Sequence, residues 1–125
     1  MVDVALASER LIEAYNAKDF DALEALIAPD IDFAHFNRDF VLADRKALLD
    51  VLRGFASTYV PDRHFERPER VTVAGNIAVR EAWYVGTAAV DLPGFGAQGE
   101  AFRLKFCSVM RFDDRGILVE WKDHG

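Results

Sequence analysis

The stretch Gly116-Ile117-Leu118-Val119-Glu120-Trp121-Lys122-Asp123-His124-Gly125 decides how the rest of the chain is read. Extended backbone sends alternate side chains to opposite faces. Ile117, Val119, Trp121 and Asp123 then share one face, and Leu118, Glu120, Lys122 and His124 the other. Three apolar residues mark the first face as buried, and Asp123 ends that row. A carboxylate placed there is paired or serves chemistry, because an unpaired buried charge is costly. The expectation is one cup-shaped domain closed around this face.

Working outward, the preceding strand alternates over Glu100 to Phe112, with Phe102, Leu104, Phe106, Ser108 and Met110 on one side. Asp113-Asp114-Arg115-Gly116 turns it into the final strand. Ile77 to Thr87 is a further strand, entered from the Gly75-Asn76 hairpin signal. Simple alternation puts Ile77, Val79, Glu81, Trp83 and Val85 together; the opposite register would turn Arg80 and Tyr84 inward, and a bulge would swap faces part-way. Trp83 is expected inward, and Glu81 is assigned no catalytic role. His64 to Val73 reads as one strand, weakened by Pro68. Arg63, Arg67 and Arg70 alternate with Glu66 and Glu69 and read as a solvated strand. Asp91 to Gly99, with Pro93, Gly94 and Gly96, is a loop.

The N-terminal half is mostly helical. Val4, Leu11, Ile12 and Tyr15 fall at helical spacing behind Asp3, an N-cap candidate. Asp19 opens a second helix with Leu23, Leu26 and Ile27 inside, ended by Pro29. Asp30 to Phe36 alternates as a strand, with Ile31, Phe33 and His35 on one face. Asn37-Arg38-Asp39 is a turn, followed by a short extended piece at Phe40 to Leu42. Asp44 caps a third helix with the stripe Leu48, Val51, Leu52, Phe55 and Tyr59. Helices grouped ahead of strands joined by short turns predict an α+β fold: a curved antiparallel sheet wrapped by three helices, leaving an internal pocket.

The bulk properties narrow the function. The 125 residues suit a single domain spanning 1–125, and 51% apolar content supports a full core. A formal charge of -6 disfavours nucleic acid. No apolar run is long enough to span a bilayer. No basic-then-apolar leader is visible, and the single Cys107 fits a reducing compartment, so a cytoplasmic location is expected. His35, His64 and His124 lack metal-ligand spacing, so neither a metal nor another cofactor is expected. No Gly-x-Ser-x-Gly elbow is present, and Gly94-Phe95-Gly96 lacks the strand-to-helix setting of a phosphate loop.

The corner Ala14-Tyr15-Asn16-Ala17-Lys18-Asp19, the strand entry Pro29-Asp30-Ile31-Asp32-Phe33, Gly86-Thr87, Leu92-Pro93 before Gly99, and the final Glu120-Trp121-Lys122-Asp123 occur here in order. In this order they resemble the SnoaL-like branch of the nuclear-transport-factor-two-like superfamily, which includes limonene epoxide hydrolase, ketosteroid isomerase and scytalone dehydratase. The resemblance implies a cone-shaped fold that hosts many activities. It matches Asp123 to the final-strand aspartate that acts as acid or base in the polyketide cyclases and the epoxide hydrolase. It sets His35 near the general base of the isomerase, and Tyr15 at the helix that backs the cavity. Ser108 stands where the isomerase has an acidic oxyanion donor, which argues against steroid isomerisation. Arg80-Glu81-Ala82 breaks the Arg-x-Asp pair of the epoxide hydrolase, which ranks that chemistry lower.

Together these readings predict a cofactor-independent lyase, isomerase or cyclase acting on a small hydrophobic carbonyl or polyketide-like compound. Asp123 would shuttle a proton and His35 would assist or orient, through a direct or water-mediated bond. Tyr15 and Ser108 would position oxygen atoms, and Phe33, Tyr59, Trp83, Phe106 and Trp121 would form apolar walls. The alternative is a small-molecule carrier or assembly module without chemistry. A homodimer is expected through the outer sheet face, which carries Cys107, Val109 and Leu118 among charges.

Overall fold

The computed structural model describes residues 2–125. Helix α1 spans Val4–Ala17 and α2 spans Phe20–Leu26. Strand β1 is Ile27–His35, a 3-10 turn covers Phe36–Arg38, and β2 is Phe40–Leu42. Helix α3, Arg45–Gly54, runs into a π turn at Phe55–Tyr59. The remaining strands are β3 His64–Phe65, β4 Arg70–Ala74, β5 Ile77–Thr87, β6 Ala101–Phe112 and β7 Leu118–His124.

The expected caps form. Asp3 accepts from the Leu6 amide, Asp19 from Ala22, and Asp44 from Lys46 and Ala47, satisfying amides that the first helical turns leave free. The two N-terminal helices are separated by Lys18, which turns the chain through left-handed φ of 58°. The apolar stripes of α1 and α3 bury Leu11, Ile12, Tyr15, Leu48, Leu49 and Leu52 against the concave sheet face. Each large apolar side chain buried there contributes about 1.5–3 kcal/mol.

The seven strands run β2-β1-β7-β6-β5-β3, with β4 also paired to β5. The sheet is curved, and it is mixed rather than wholly antiparallel: β1 and β7 are parallel, with His35 beside Asp123 and Phe33 beside Trp121. The short-turn argument for antiparallel pairing does not reach this pair, because the rest of the sheet separates the two strands in sequence. Pro29 lies where the β1–β7 register shifts, between Ile27 and Asp32, so β1 starts before the proline rather than after it. Pro68 splits the expected His64–Val73 strand into β3 and β4.

Three side-chain placements differ from the sequence reading. In β5 the buried row is Ala78, Arg80, Ala82 and Tyr84, so Trp83 faces outward. The inward polar tips find partners on α1: Arg80 donates to Ser8 Oγ and Glu9, and Tyr84 Oη lies 2.8 Å from Tyr15 Oη. Trp83 instead lies between Arg103 and Lys105 and donates to Glu69, while Glu81 pairs with Arg70 on the same outer surface. Tyr59 is 40% exposed, because the π turn carries it off the α3 stripe. In β7 a bulge opposite Arg111 and Phe112 sets Leu118, not Val119, in the buried row. Leu118 therefore leaves the outer face assigned to it, where Cys107 and Val109 remain half-buried.

Arg63 is a fourth departure. It is 1% exposed rather than solvated, and its Nη1 donates to the Tyr15 carbonyl at 2.6 Å.

The β5 register gives a direct test by urea denaturation. Tyr84→Ala is expected to cost about 3 kcal/mol and Trp83→Ala about 1 kcal/mol. A reversed order would contradict the register.

Candidate functional site

Between α1, α3 and the concave sheet face lies a cavity of about 190 Å³. Of the residues singled out in the sequence, Tyr15, Phe33, His35, Phe106, Trp121 and Asp123 line it. Tyr59 and Trp83 do not, for the reasons given above. Ser108 is buried beside Asp123 on the neighbouring strand, behind the wall rather than in it. The wall itself is aromatic: Phe33 meets Trp121 edge-on at 5.4 Å, and Tyr84 stacks on Phe106 at 5.0 Å.

Asp123 is 4% exposed, and Trp121 Nε1 donates to its Oδ1 at 2.7 Å. Trp121 and Asp123 lie two apart on one strand, so both point inward and the indole reaches the carboxylate. Burial pushes the Asp123 carboxyl up to about 6, against hydrogen bonds from Ser108 and Trp121 and the Arg38 charge. It therefore exchanges its proton near neutral pH.

Tyr15 comes from α1 and Tyr84 from β5, with their hydroxyls 2.8 Å apart. Burial raises the Tyr15 hydroxyl to about 12 and lifts that of Tyr84 well above its ordinary value. Both stay protonated at neutral pH. One hydroxyl donates to the other, which leaves one O–H able to donate to an oxygen in the cavity.

His35 lines the cavity as expected, and its direct partner is Arg38. Its Nε2 lies 2.9 Å from Arg38 Nη1, and no direct hydrogen bond joins it to Asp123 among the described residues. A guanidinium only donates, so Nε2 accepts and the imidazole is the neutral tautomer protonated at Nδ1. Burial and the Arg38 charge lower the His35 pKa to about 4. His35 thus meets Arg38 rather than bonding Asp123 directly.

The sequence reading missed Arg38 and Phe95 and left Tyr84 undecided. The turn that carries Arg38 is 3-10, where residues three apart eclipse, so Arg38 returns over His35. Its guanidinium then sits 4.2 Å above the Phe95 ring, donates to the Gly94 carbonyl at 2.7 Å, and reaches the Gly125 carbonyl. Arg38 thereby ties the Asp91–Gly99 loop to the ends of β1 and β7. Among the described residues no group of three His, Cys, Asp or Glu side chains is arranged to hold a metal. No helix among them is long and apolar enough to cross a membrane.

The sequence profile of the SnoaL-like domain matches residues 8–121. The chain belongs to the SnoaL-like family. No curated protein sequence matches it. Solved structures share the fold at low identity. A proposed polyketide cyclase of Xanthomonas campestris superposes with a TM-score of 0.82 at 20% identity, covering 98% of this chain and 89% of that one. IdmH, a proposed polyketide cyclase of Streptomyces antibioticus, gives 0.78 at 23% identity, covering 98% and 91%. An epoxide hydrolase of M. tuberculosis, of the limonene epoxide hydrolase-like type, gives 0.75 at 20% identity, covering 97% and 80%. These likenesses, each below 25% identity, show a shared fold.

The two displaced pKa values predict opposite stability effects. Asp123 titrates higher folded than unfolded, so its contribution is full below about 3.8 and is lost as pH rises through about 6. His35 titrates lower folded, so its contribution is full above about 6.5 and is lost as pH falls through about 4. Relative to the parent, Asp123→Asn should gain about 2–3 kcal/mol between pH 4 and 6.5, and His35→Gln should lose a similar amount. Urea midpoints across that range measure both. A flat difference for Asp123→Asn would contradict the buried-carboxylate assignment.

Proposed function

We propose that this SnoaL-like protein is a cofactor-independent acid/base enzyme, a lyase, isomerase or cyclase, acting on a small hydrophobic carbonyl or polyketide-like compound. The observation that carries the reading is Asp123. It is the one buried carboxylate among the described residues, it opens on an aromatic cavity, and it titrates near 6. A general base is most effective when its pKa lies near the working pH.

In the proposed step, the ionised Asp123 carboxylate removes a proton from the carbon beside a bound carbonyl. The C–H electron pair moves into the forming C=C bond, and the carbonyl oxygen gains negative charge. The Tyr15–Tyr84 hydroxyl pair supplies a hydrogen bond to that oxygen, in a setting with little water to compete. Protonated Asp123 then returns its proton at another carbon, or to a departing oxygen, or the enolate carbon attacks a second carbonyl within the molecule and Asp123 protonates the oxygen that takes the C=O electron pair. Those three outcomes are isomerisation, elimination and cyclisation. The proposed cyclase names of two relatives support including the third. The walls of Phe33, Phe106 and Trp121 suit a flat apolar substrate.

A second reading has one observation in its favour. Most polar groups of the cavity already have partners: Asp123 has Trp121, His35 has Arg38, and the two tyrosines have each other, leaving one tyrosine O–H and Arg38 Nε over. A carrier that binds the same compounds without reacting would show this arrangement.

Solvent-deuterium exchange at the carbon beside the carbonyl separates the two. For a panel of small cyclic ketones, enones and 1,3-dicarbonyls in D₂O, proton NMR should show enzyme-dependent exchange for at least one compound. Its rate should rise with pH and level off above about 6. Asp123→Asn should slow it by about 10²–10⁴-fold while binding persists. Binding with no exchange by the parent protein would favour the carrier.

A further inference from the structure

Arg63 lies between the π turn and β3, outside the residues lining the cavity. Its side chain is wholly enclosed, yet no ion pair among the described residues includes it. Nη1 donates to the Tyr15 carbonyl at 2.6 Å, while Nε and Nη2 have no hydrogen-bond partner. The guanidinium carbon sits 3.7 Å from the centroid of the Tyr15 ring. A guanidinium keeps its charge where a lysine would shed it. Burying it without a carboxylate is costly, and the carbonyl end of α1 offsets only part of that cost. The other compensating element is the electron-rich face of Tyr15. That ring carries, at its far end, the hydroxyl shared with Tyr84 inside the cavity.

We infer that Arg63 is a positioning residue for Tyr15: it clamps that ring and its carbonyl from behind, and its charge makes the Tyr15–Tyr84 hydroxyl pair a stronger donor to an oxygen that gains negative charge in the cavity. The clamp stands on the contacts alone; its use on a substrate oxygen rests on the proton-transfer reading above. A cation beside a phenol stabilises its phenolate form, which makes the O–H more acidic and a stronger donor. The groups acting on the Tyr15 hydroxyl are Arg63, Tyr84 and Asp123. Arg63 draws it down against burial, Tyr84 does so through its hydrogen bond, and Asp123 opposes them. Arg63 also draws down the Tyr84 hydroxyl. The cation and the Asp123 carboxylate thus act on the tyrosine pair in opposite senses, which suits a site where negative charge passes from the carboxylate to a bound oxygen.

The test is fluorine NMR of protein labelled throughout with 3-fluorotyrosine, whose fluorine makes each phenol more acidic and so lowers its titration toward the range the fold tolerates. The chain has three tyrosines, and Tyr59, which is 40% exposed, serves as the internal control. In Arg63→Met and Arg63→Gln the Tyr15 and Tyr84 midpoints should rise by about one pH unit, with Tyr59 unmoved. In the deuterium-exchange assay the same variants should lose about tenfold in kcat with KM unchanged. Unmoved Tyr15 and Tyr84 midpoints in folded variants would overturn the inference, as would a change confined to KM. Failure of both variants to fold would equally overturn it, by making Arg63 a structural residue. If the parent protein shows no exchange with any compound, the proton-transfer reading falls, and the titration still decides the clamp.

Discussion

A carboxylate held out of water by an indole is the constraint from which the rest of the site follows. Trp121 fills the cone beneath the cavity and donates its single N–H to Asp123 two residues on. Strand alternation in β7 sets both side chains on the same face, and parallel pairing with β1 lays Phe33 and His35 alongside them. Removing water raises the proton affinity of the carboxylate; one indole bond and one hydroxyl neighbour moderate that rise. The balance leaves a group that changes charge near pH 6, inside a space walled by aromatic rings.

The opening of the cavity is organised by a second polar unit with a different task. Arg38 leans on Phe95, bonds the Gly94 carbonyl, and takes the lone pair of His35. It fixes loop, strand ends and imidazole in one arrangement, and in doing so keeps His35 neutral. Under the proposed reading proton transfer falls to Asp123, while His35 holds Arg38 in place. The Tyr15–Tyr84 pair bridges helix and sheet across the interior, so the group that would hold a substrate oxygen also joins the two layers of the fold.

Much of the frame was legible from local patterns. Aspartates at positions 3, 19 and 44 announced three helix starts, and alternation over Phe102 to Met110 announced a strand with one buried face. The inward setting of Asp123 and His35 followed from the same alternation. What the pattern missed depended on partners distant in sequence. Arg80 and Tyr84 face inward because α1 supplies Ser8, Glu9 and Tyr15 to meet them, and hydropathy counts an arginine as a surface residue whatever waits across the core. Arg63 escaped for the same reason. Trp83, the more apolar neighbour, is stabilised outside by flanking cations. The β7 bulge and the π turn each advance the chain by a residue, which no fixed period anticipates. Parallel pairing of β1 with β7 joins segments too far apart for any turn signal to report.

The central claim is that the Asp123 carboxyl is desolvated at the base of an aromatic cavity. Carbon-13 NMR of the aspartate side-chain carboxyls, with Asp123 assigned by its loss in Asp123→Asn, measures its titration in the folded protein. The account predicts a midpoint of about 6. A midpoint near the ordinary aspartate value of about 3.9 would place the carboxylate in a water-like setting and contradict it.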